Sequence, residues 1–171
     1  MGELIGESKK YSERDLDELF DKAAKRGAVL STLHFDSHGK DAGAVKNSLI
    51  DFIARLSKEK GVLYCRGEVE AAIESGDLYS SCAEVRLLTD NYANLVNVSL
   101  KYGPIAVEIL KPDKIVLTLD EAQNVIVDAS NISQDYAKYI YEKTLTGEDL
   151  RLFHEKIAAR AELGRKILEE K

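Results

Sequence analysis

A chain of 171 residues that is 44% hydrophobic and 32% charged has the length for one domain with an appendage and the apolar content for a core. Its formal net charge is −6 and no basic block interrupts the mixed signs, which argues against general nucleic-acid binding through phosphate contacts. No apolar run reaches the ~18 residues of a membrane span and no signal-peptide pattern opens the chain, so a cytoplasmic protein without a membrane segment is expected.

The first ten residues carry no periodic pattern and are expected to be loosely attached. Ser12 stands three residues before Asp15, the spacing of a capping box with Asp in place of Glu, and Leu16, Leu19, Phe20 and Ala23 follow at helical spacing. Gly27 supplies the C-cap that ends this helix. "AVLSTLHFD" alternates as a strand, and "SHG" after it reads as a turn. A helix entered near Asp41 then places Val45, Leu49, Phe52, Ile53 and Leu56 on one face until Gly61. "GVLYCRGEVEA" and "LYSSCAEVRLL" are strand-like runs joined by the turn chemistry of "ESGD", an antiparallel hairpin. A second helix, entered near Thr89 or Asp90, carries Tyr92, Leu95, Val96 and Ser99 inward and stops at Gly103 and Pro104. "IAVEIL" is a fourth strand.

The remainder reads as helical. Thr118 and Glu121 form a capping box, and Leu119, Ala122, Ile126, Ala129, Tyr136 and Ile140 continue a stripe with a break near Asn131. Thr146 and Asp149 repeat the cap signal, after which Leu150, Phe153, Ile157, Ala161, Gly164 and Leu168 recur at a spacing of about 3.5 residues. The short connection "KTLTGED" predicts an antiparallel helical hairpin. The β-branched content of "KIVLTL" and "NVIVDA" keeps a β-hairpin over residues 114–129 open as the alternative.

Strand, helix, strand, strand, helix, strand has one compact solution. It is an α+β, ferredoxin-like βαββαβ core: a four-stranded antiparallel sheet with both crossover helices on one face. The expected plan is a tail and helix over 1–27, the core over 28–112 and a C-terminal helical extension over 113–171, in one compact domain. Alternation assigns Val29, Leu33, Phe35, Leu63, Cys65, Val69, Ala83, Val85, Ile105, Val107 and Ile109 to the helix-covered side. The other side collects Leu30, Thr32, His34, Asp36, Tyr64, Arg66, Glu68, Cys82, Glu84, Arg86, Ala106 and Glu108. Cys65 and Cys82 fall on opposite faces, so they are read as reduced, small hydrophobes rather than a disulfide. Arg66 and Arg86 are expected to pair across strands with Glu84 and Glu68. The C-terminal helices or a second subunit should cover the half-apolar face, and a homodimer is expected.

"HFDSHGKD" concentrates the candidate chemistry. His34, Asp36 and His38 occupy alternate positions, yet residues i and i+4 of a straight strand lie roughly 13 Å apart, so one metal ion cannot join both histidines without a turn between them. No metal and no cofactor are predicted. Gly39 and Lys40 lead into a helix N-terminus, where free N–H groups favour a carboxylate or phosphate, so a small anion is the expected ligand. Asp36 or Asp41 caps the helix in the plainer reading, with His38 in an exposed loop. His34, Asp36, His38, Gly39, Lys40, Arg66 and Glu84 are the candidate ligand-binding residues.

At the level of element order, residues 28–110 resemble the ferredoxin-like modules used for ligand binding and oligomerisation, ACT and related regulatory domains among them, with "DSHGKD" at the loop where some of those modules hold small ligands. The run "KYGPIAVEILKPDKIVLTLDEAQ" with its following helices resembles uncharacterised conserved archaeal proteins, and the Glu and Lys usage leans toward a thermophile. The resemblance carries no activity of its own, and the first reading is a non-enzymatic, homodimeric regulatory or ligand-binding module with its site at the loop 36–41 and the open sheet face. Two alternatives stand beside it: a small acid–base enzyme using His34 with Asp36 or Glu84, and a scaffold that docks another protein through the C-terminal helices.

Overall fold

The computed structural model describes residues 3–5 and 13–169. The Ser12 cap and most of the first ten residues lie outside this set, as do the side chains of Ala161, Gly164 and Leu168. Two compact units divide the chain, residues 1–129 and 130–171, and the division falls inside the fourth helix.

In the first unit the elements follow as β1 (Glu3–Ile5), α1 (Glu13–Ala24), β2 (Val29–Gly39), α2 (Ala42–Leu56), β3 (Val62–Val69), β4 (Ile73–Ser75), β5 (Leu78–Thr89), α3 (Tyr92–Tyr102) and β6 (Ala106–Lys111). The sheet order is β1-β3-β5-β2-β6, every pairing is antiparallel, and β4 pairs with the start of β5. Strands β2, β3, β5 and β6 have the βαββαβ order expected. Two additions flank it. Glu3–Ile5 extends the sheet beside β3 instead of hanging loose, with Leu4 opposite Glu68. Ile73–Ser75 lengthens the hairpin around Gly76, so Ser75 meets Leu78 across a two-residue turn.

Helices α2 and α3 seal one face. Val29, Leu33, Phe35, Val69, Ala83, Val85 and Leu87 are buried against Leu49, Ile53 and Leu56 of α2 and Leu95 and Val98 of α3. Helix α2 lies close to β3 because position 67 is glycine: a Cβ there would meet Ile53 Cδ1 at 2.6 Å. Phe35, Phe52 and Tyr102 form an edge-to-face chain with centroids 4.7 and 5.1 Å apart. The Tyr102 hydroxyl and the Lys101 ammonium both donate to Glu59 Oε1 at 2.6 Å, which ties the end of α3 to the residues after α2. Helix α3 is capped one or two residues later than expected. Asn91 accepts from Asn94 N at 2.8 Å, and Leu95 and Val98 are the buried residues of the helix, with Val98 where Val96 was expected. Gly103, at φ 60°, closes it in the left-handed conformation.

Helix α1 covers part of the opposite face, where the sequence pointed to the C-terminal helices or a second subunit. Phe20 is buried with Ala28, Leu30 and Leu88, and Leu16, Ala23, Tyr64 and Leu110 pack around them. Three further expectations fail at the strand edges. A register shift between Val62 and Tyr64 turns Val62 toward the core and leaves Leu63 exposed. Ile105, Val107 and Ile109, assigned to the helix-covered side, are 62, 43 and 42% exposed, because β6 is an edge strand that the crossover helices do not reach across. Strand β2 runs on through Gly39, paired with β5 to Tyr79, so residues 37–39 are strand and not turn.

The segment from Thr118 settles as helix. In the capping box, Thr118 N donates to Glu121 Oε2 at 2.7 Å and Glu121 N donates to Thr118 Oγ1 at 3.2 Å. Helix α4 (Leu119–Thr144) then runs without a break at Asn131, so the β-hairpin alternative is excluded. It enters the second unit, where α5 (Gly147–Glu169) folds back beside it. Tyr141 stacks at a tilt on Phe153, 4.8 Å between centroids, and Leu145, Leu150 and Ile157 are half-buried along the same seam. Tyr136, Tyr139, Ile140 and Leu152 of this hairpin stay exposed.

Candidate functional site

Beyond the footprint of α1, the sheet presents charges in rows that run across the strands. Arg66 lies opposite Arg86, which lies opposite Thr32, which lies opposite Glu108. In the next row, Glu68 lies opposite Glu84, Glu84 opposite His34, and His34 opposite Ala106. The cross-strand Arg–Glu pairs expected from sequence therefore do not form directly. The register sets like against like, an unfavourable arrangement for directly opposed charges, and opposite charges meet only on the diagonal.

Helix α1 relieves one of the two arginines. Arg86 reaches Asp17 Oδ1 at 3.4 Å, and its guanidinium lies 5.2 Å from the centre of the Phe20 ring. Among the described residues Arg66 has no ion pair. Between α1 and these rows lies a cleft of about 210 Å³, with Leu16 and Tyr64 as its apolar wall. Arg66 and Arg86 supply its cationic groups, and Glu13, Glu68 and Glu84 its carboxylates. This volume is below the ~300–1,000 Å³ of pockets for drug-sized ligands and suits a small polar molecule.

Of the seven sequence candidates, Arg66 and Glu84 line this cleft. His34 is half-buried in the row of Glu84, on the same face. Asp36 and His38 sit farther along β2 and form a separate chain of hydrogen bonds. His38 Nε2 is 2.8 Å from Asp36 Oδ2, and His38 Nδ1 is 2.8 Å from Ser80 Oγ, directly across on β5. With the ring proton on Nε2 held by the carboxylate, Nδ1 can accept from the Ser80 hydroxyl. Gly39 and Lys40 join neither group. A Cβ on Gly39 would stand 3.0 Å from Val45 Cγ2, so its small size serves helix packing. The N-terminus of α2 already holds an anion of its own: Asp41 accepts from Ala44 N at 2.6 Å.

Glu13 and Leu16 were not legible as site residues, because nothing in the sequence says which face α1 covers. Ser80 was not legible as a partner of His38 either. It lies opposite His38 only because β2 runs on to Gly39 in register with β5, a pairing between strands far apart in the chain. The two thiols differ in setting: burial pushes Cys65 up to about 11, which keeps it protonated and inert, while Cys82 is exposed opposite Asp36. Among the described residues, no group of three or more His, Cys, Asp or Glu side chains is placed to hold a metal ion, and no helix is long and apolar enough to cross a membrane.

Comparison with curated proteins and with solved structures finds no match. A family model matches residues 31–151, a stretch that holds the βαββαβ strands from Ser31 onward, all of α4 and the start of α5. Strand β1 and helix α1, and with them the Glu13–Leu16 wall of the cleft, precede the matched stretch. With well over half of its length inside that match, the chain belongs to the MJ0538 family.

Proposed function

We propose that this protein is a non-enzymatic, homodimeric ligand-binding module of the cytoplasm, and that its ligand is a small anion carrying a second, cationic group. The observation that carries this reading is Arg66, a guanidinium without an ion pair among the described residues, placed beside Arg86 and one row from Glu68 and Glu84 in the cleft under α1. Two like-charged rows each cost stability when empty. A ligand whose carboxylate or phosphate meets Arg66 and whose ammonium meets the glutamate row neutralises both at once, with Tyr64 and Leu16 excluding water from one side. Free cysteines on opposite sheet faces fit a reducing compartment. Thermal melting of the protein against a panel of amino acids, dicarboxylates and inorganic phosphate tests the reading. A true ligand at a hundred times its dissociation constant adds about 2.7 kcal/mol to stability, and Arg66→Ala should abolish that gain. A panel without effect on the wild type, or an equal gain in the variant, removes the cleft as the site.

A second reading has its own observation. The Asp36–His38–Ser80 chain has the order of carboxylate, base and hydroxyl that activates a serine, and it replaces the pairing of His34 with Asp36 or Glu84 suggested by sequence. Among the described residues His34 makes no side-chain hydrogen bond. Incubation with a fluorophosphonate, followed by mass spectrometry, decides this reading: an adduct on Ser80 that disappears in His38→Ala supports an enzyme, and an unmodified Ser80 ends it.

A further inference from the structure

Among the described residues, strand β6 has no strand partner on one side of its backbone, and its apolar residues are exposed. It is the last strand of the sheet order and pairs with β2. An edge of this kind is ordinarily blunted by a charge pointing inward, a proline or a bulge, because free N–H and C=O groups recruit another strand. Here the middle of β6 has none of these on the face shared with α2 and α3. Val107 lies opposite Leu33 and Ile109 opposite Ser31 on that face, and Ile105 enters the strand just ahead of them. All three are more than two-fifths exposed. The one register shift, between Leu30 and Ser31, lies at the far end of the strand, toward Lys111.

The order of residues names the occupant. Ile105, Ala106, Val107, Glu108, Ile109 is apolar at every second position and symmetric about Val107. Under a two-fold axis perpendicular to the sheet and passing beside Val107, a second copy sets Val107 against Val107, Ile105 against Ile109, and Ala106 against Glu108. Three apolar cross-strand pairs form on one face, and no like charges stand directly opposed. Slipping by one residue on each strand brings Glu108 against Glu108 and is disfavoured. Any other partner would have to match this apolar spacing by its own sequence, whereas a second copy matches it by symmetry.

We infer that two copies of this chain join edge to edge through antiparallel pairing of β6, with Val107 at the two-fold axis, so that the two sheets become one. The inference rests on the homodimer reading above and specifies its interface. Analytical ultracentrifugation of the full chain, together with oxidation of Val107→Cys in a Cys82→Ser background, tests it. Directly opposed strand residues have Cα atoms ~4.5–5.5 Å apart, inside the disulfide range, so a disulfide-linked dimer should form in high yield and be absent from Cys82→Ser alone. Val107→Lys places two ammonium groups face to face and should weaken association by roughly 100-fold. The residue is 43% exposed in the single chain, so the variant should retain the wild-type circular dichroism spectrum. A wild-type dimer that survives Val107→Lys and gives no Val107→Cys cross-link overturns this interface while leaving the homodimer in place. A monomeric wild type overturns both, and leaves the cleft to be judged by its own titration.

Discussion

Under α2 and α3, the sheet buries Val29, Leu33, Phe35, Val85 and Leu87 without a single charged neighbour among the buried residues. Under α1, the same sheet seals only the end nearest Leu30 and Leu88, and the rest of the face holds Arg66, Arg86, Glu68, Glu84, Glu108 and His34. The backbone is shared, so the difference comes from what lies above it. Two crossover helices are compelled to one side by the handedness of their connections, whereas α1 reaches the other side from the N-terminal end of the chain and covers less. One face is optimised for packing, and the other keeps groups whose placement costs stability.

Truncation on each face should separate these roles. Leu33→Ala opens a cavity between β2, α2 and α3 in a site with no room to relax, and is expected to cost about 3–5 kcal/mol by urea denaturation. Phe20→Ala removes a larger side chain from the α1 contact but should cost less, about 2–3 kcal/mol, because α1 can detach while the sheet stays folded. Hydrogen exchange distinguishes the two: Phe20→Ala should free the amides of α1 alone, and Leu33→Ala should lower protection throughout the strands. Equal, global losses in both variants would mean that the two faces form one cooperative core.

The comparison also shows what was legible in the sequence. Buried strands such as Val29–Phe35 and Ala83–Leu87, and helix faces such as Val45–Leu56, announce themselves by period, and periodicity alone leads to the βαββαβ order. Edges do not announce themselves. Val107 and Ile109 alternate like core residues and are exposed, since alternation reports which face a side chain takes and not whether that face is covered at that strand. The charged face was readable as a set of residues but not as a pattern of pairs. A hairpin register that sets Arg66 against Arg86 differs by two residues from one that sets Arg66 against Glu84, and the turn that decides it contains the extra pairing of β4. The position of α1 carried no sequence signal, because an amphipathic helix of twelve residues fits either face.

Titration should act on the packed face through Glu59, Tyr102 and Cys65. The Lys101 ammonium and the Tyr102 hydroxyl hold Glu59 below the usual carboxylate range, so its contribution is present above about pH 4.5 and is lost as pH falls through the folded value. Burial, followed by the Glu59 hydrogen bond, pushes Tyr102 up to about 12. A raised value means stability that is complete below the ordinary tyrosine value of 10 and lost as pH rises through about 12. Burial of Cys65 adds a loss in the same direction between 9 and about 11. Glu59→Gln should cost on the order of 1 kcal/mol at neutral pH and should flatten the acid limb of the stability profile while leaving the alkaline limb of Cys65 in place. An unchanged acid limb would show that the end of α3 is held by its aromatic contacts alone.

The smallest change in stability should come from Arg66, and its sign matters more than its size. A surface arginine in an ordinary ion pair loses a few tenths of a kcal/mol when neutralised. Arg66 faces Arg86, so Arg66→Gln removes a directly opposed like charge and is expected to raise stability by roughly 0.2–0.5 kcal/mol. The same variant should lose the ligand-dependent rise in melting temperature. Gaining stability while losing binding is the signature of a residue retained at a cost to the fold, and neither a purely structural arginine nor a neutral surface position produces it. A destabilised Arg66→Gln would place Arg66 with the packing residues, and the charged face would then need no ligand to account for its arrangement.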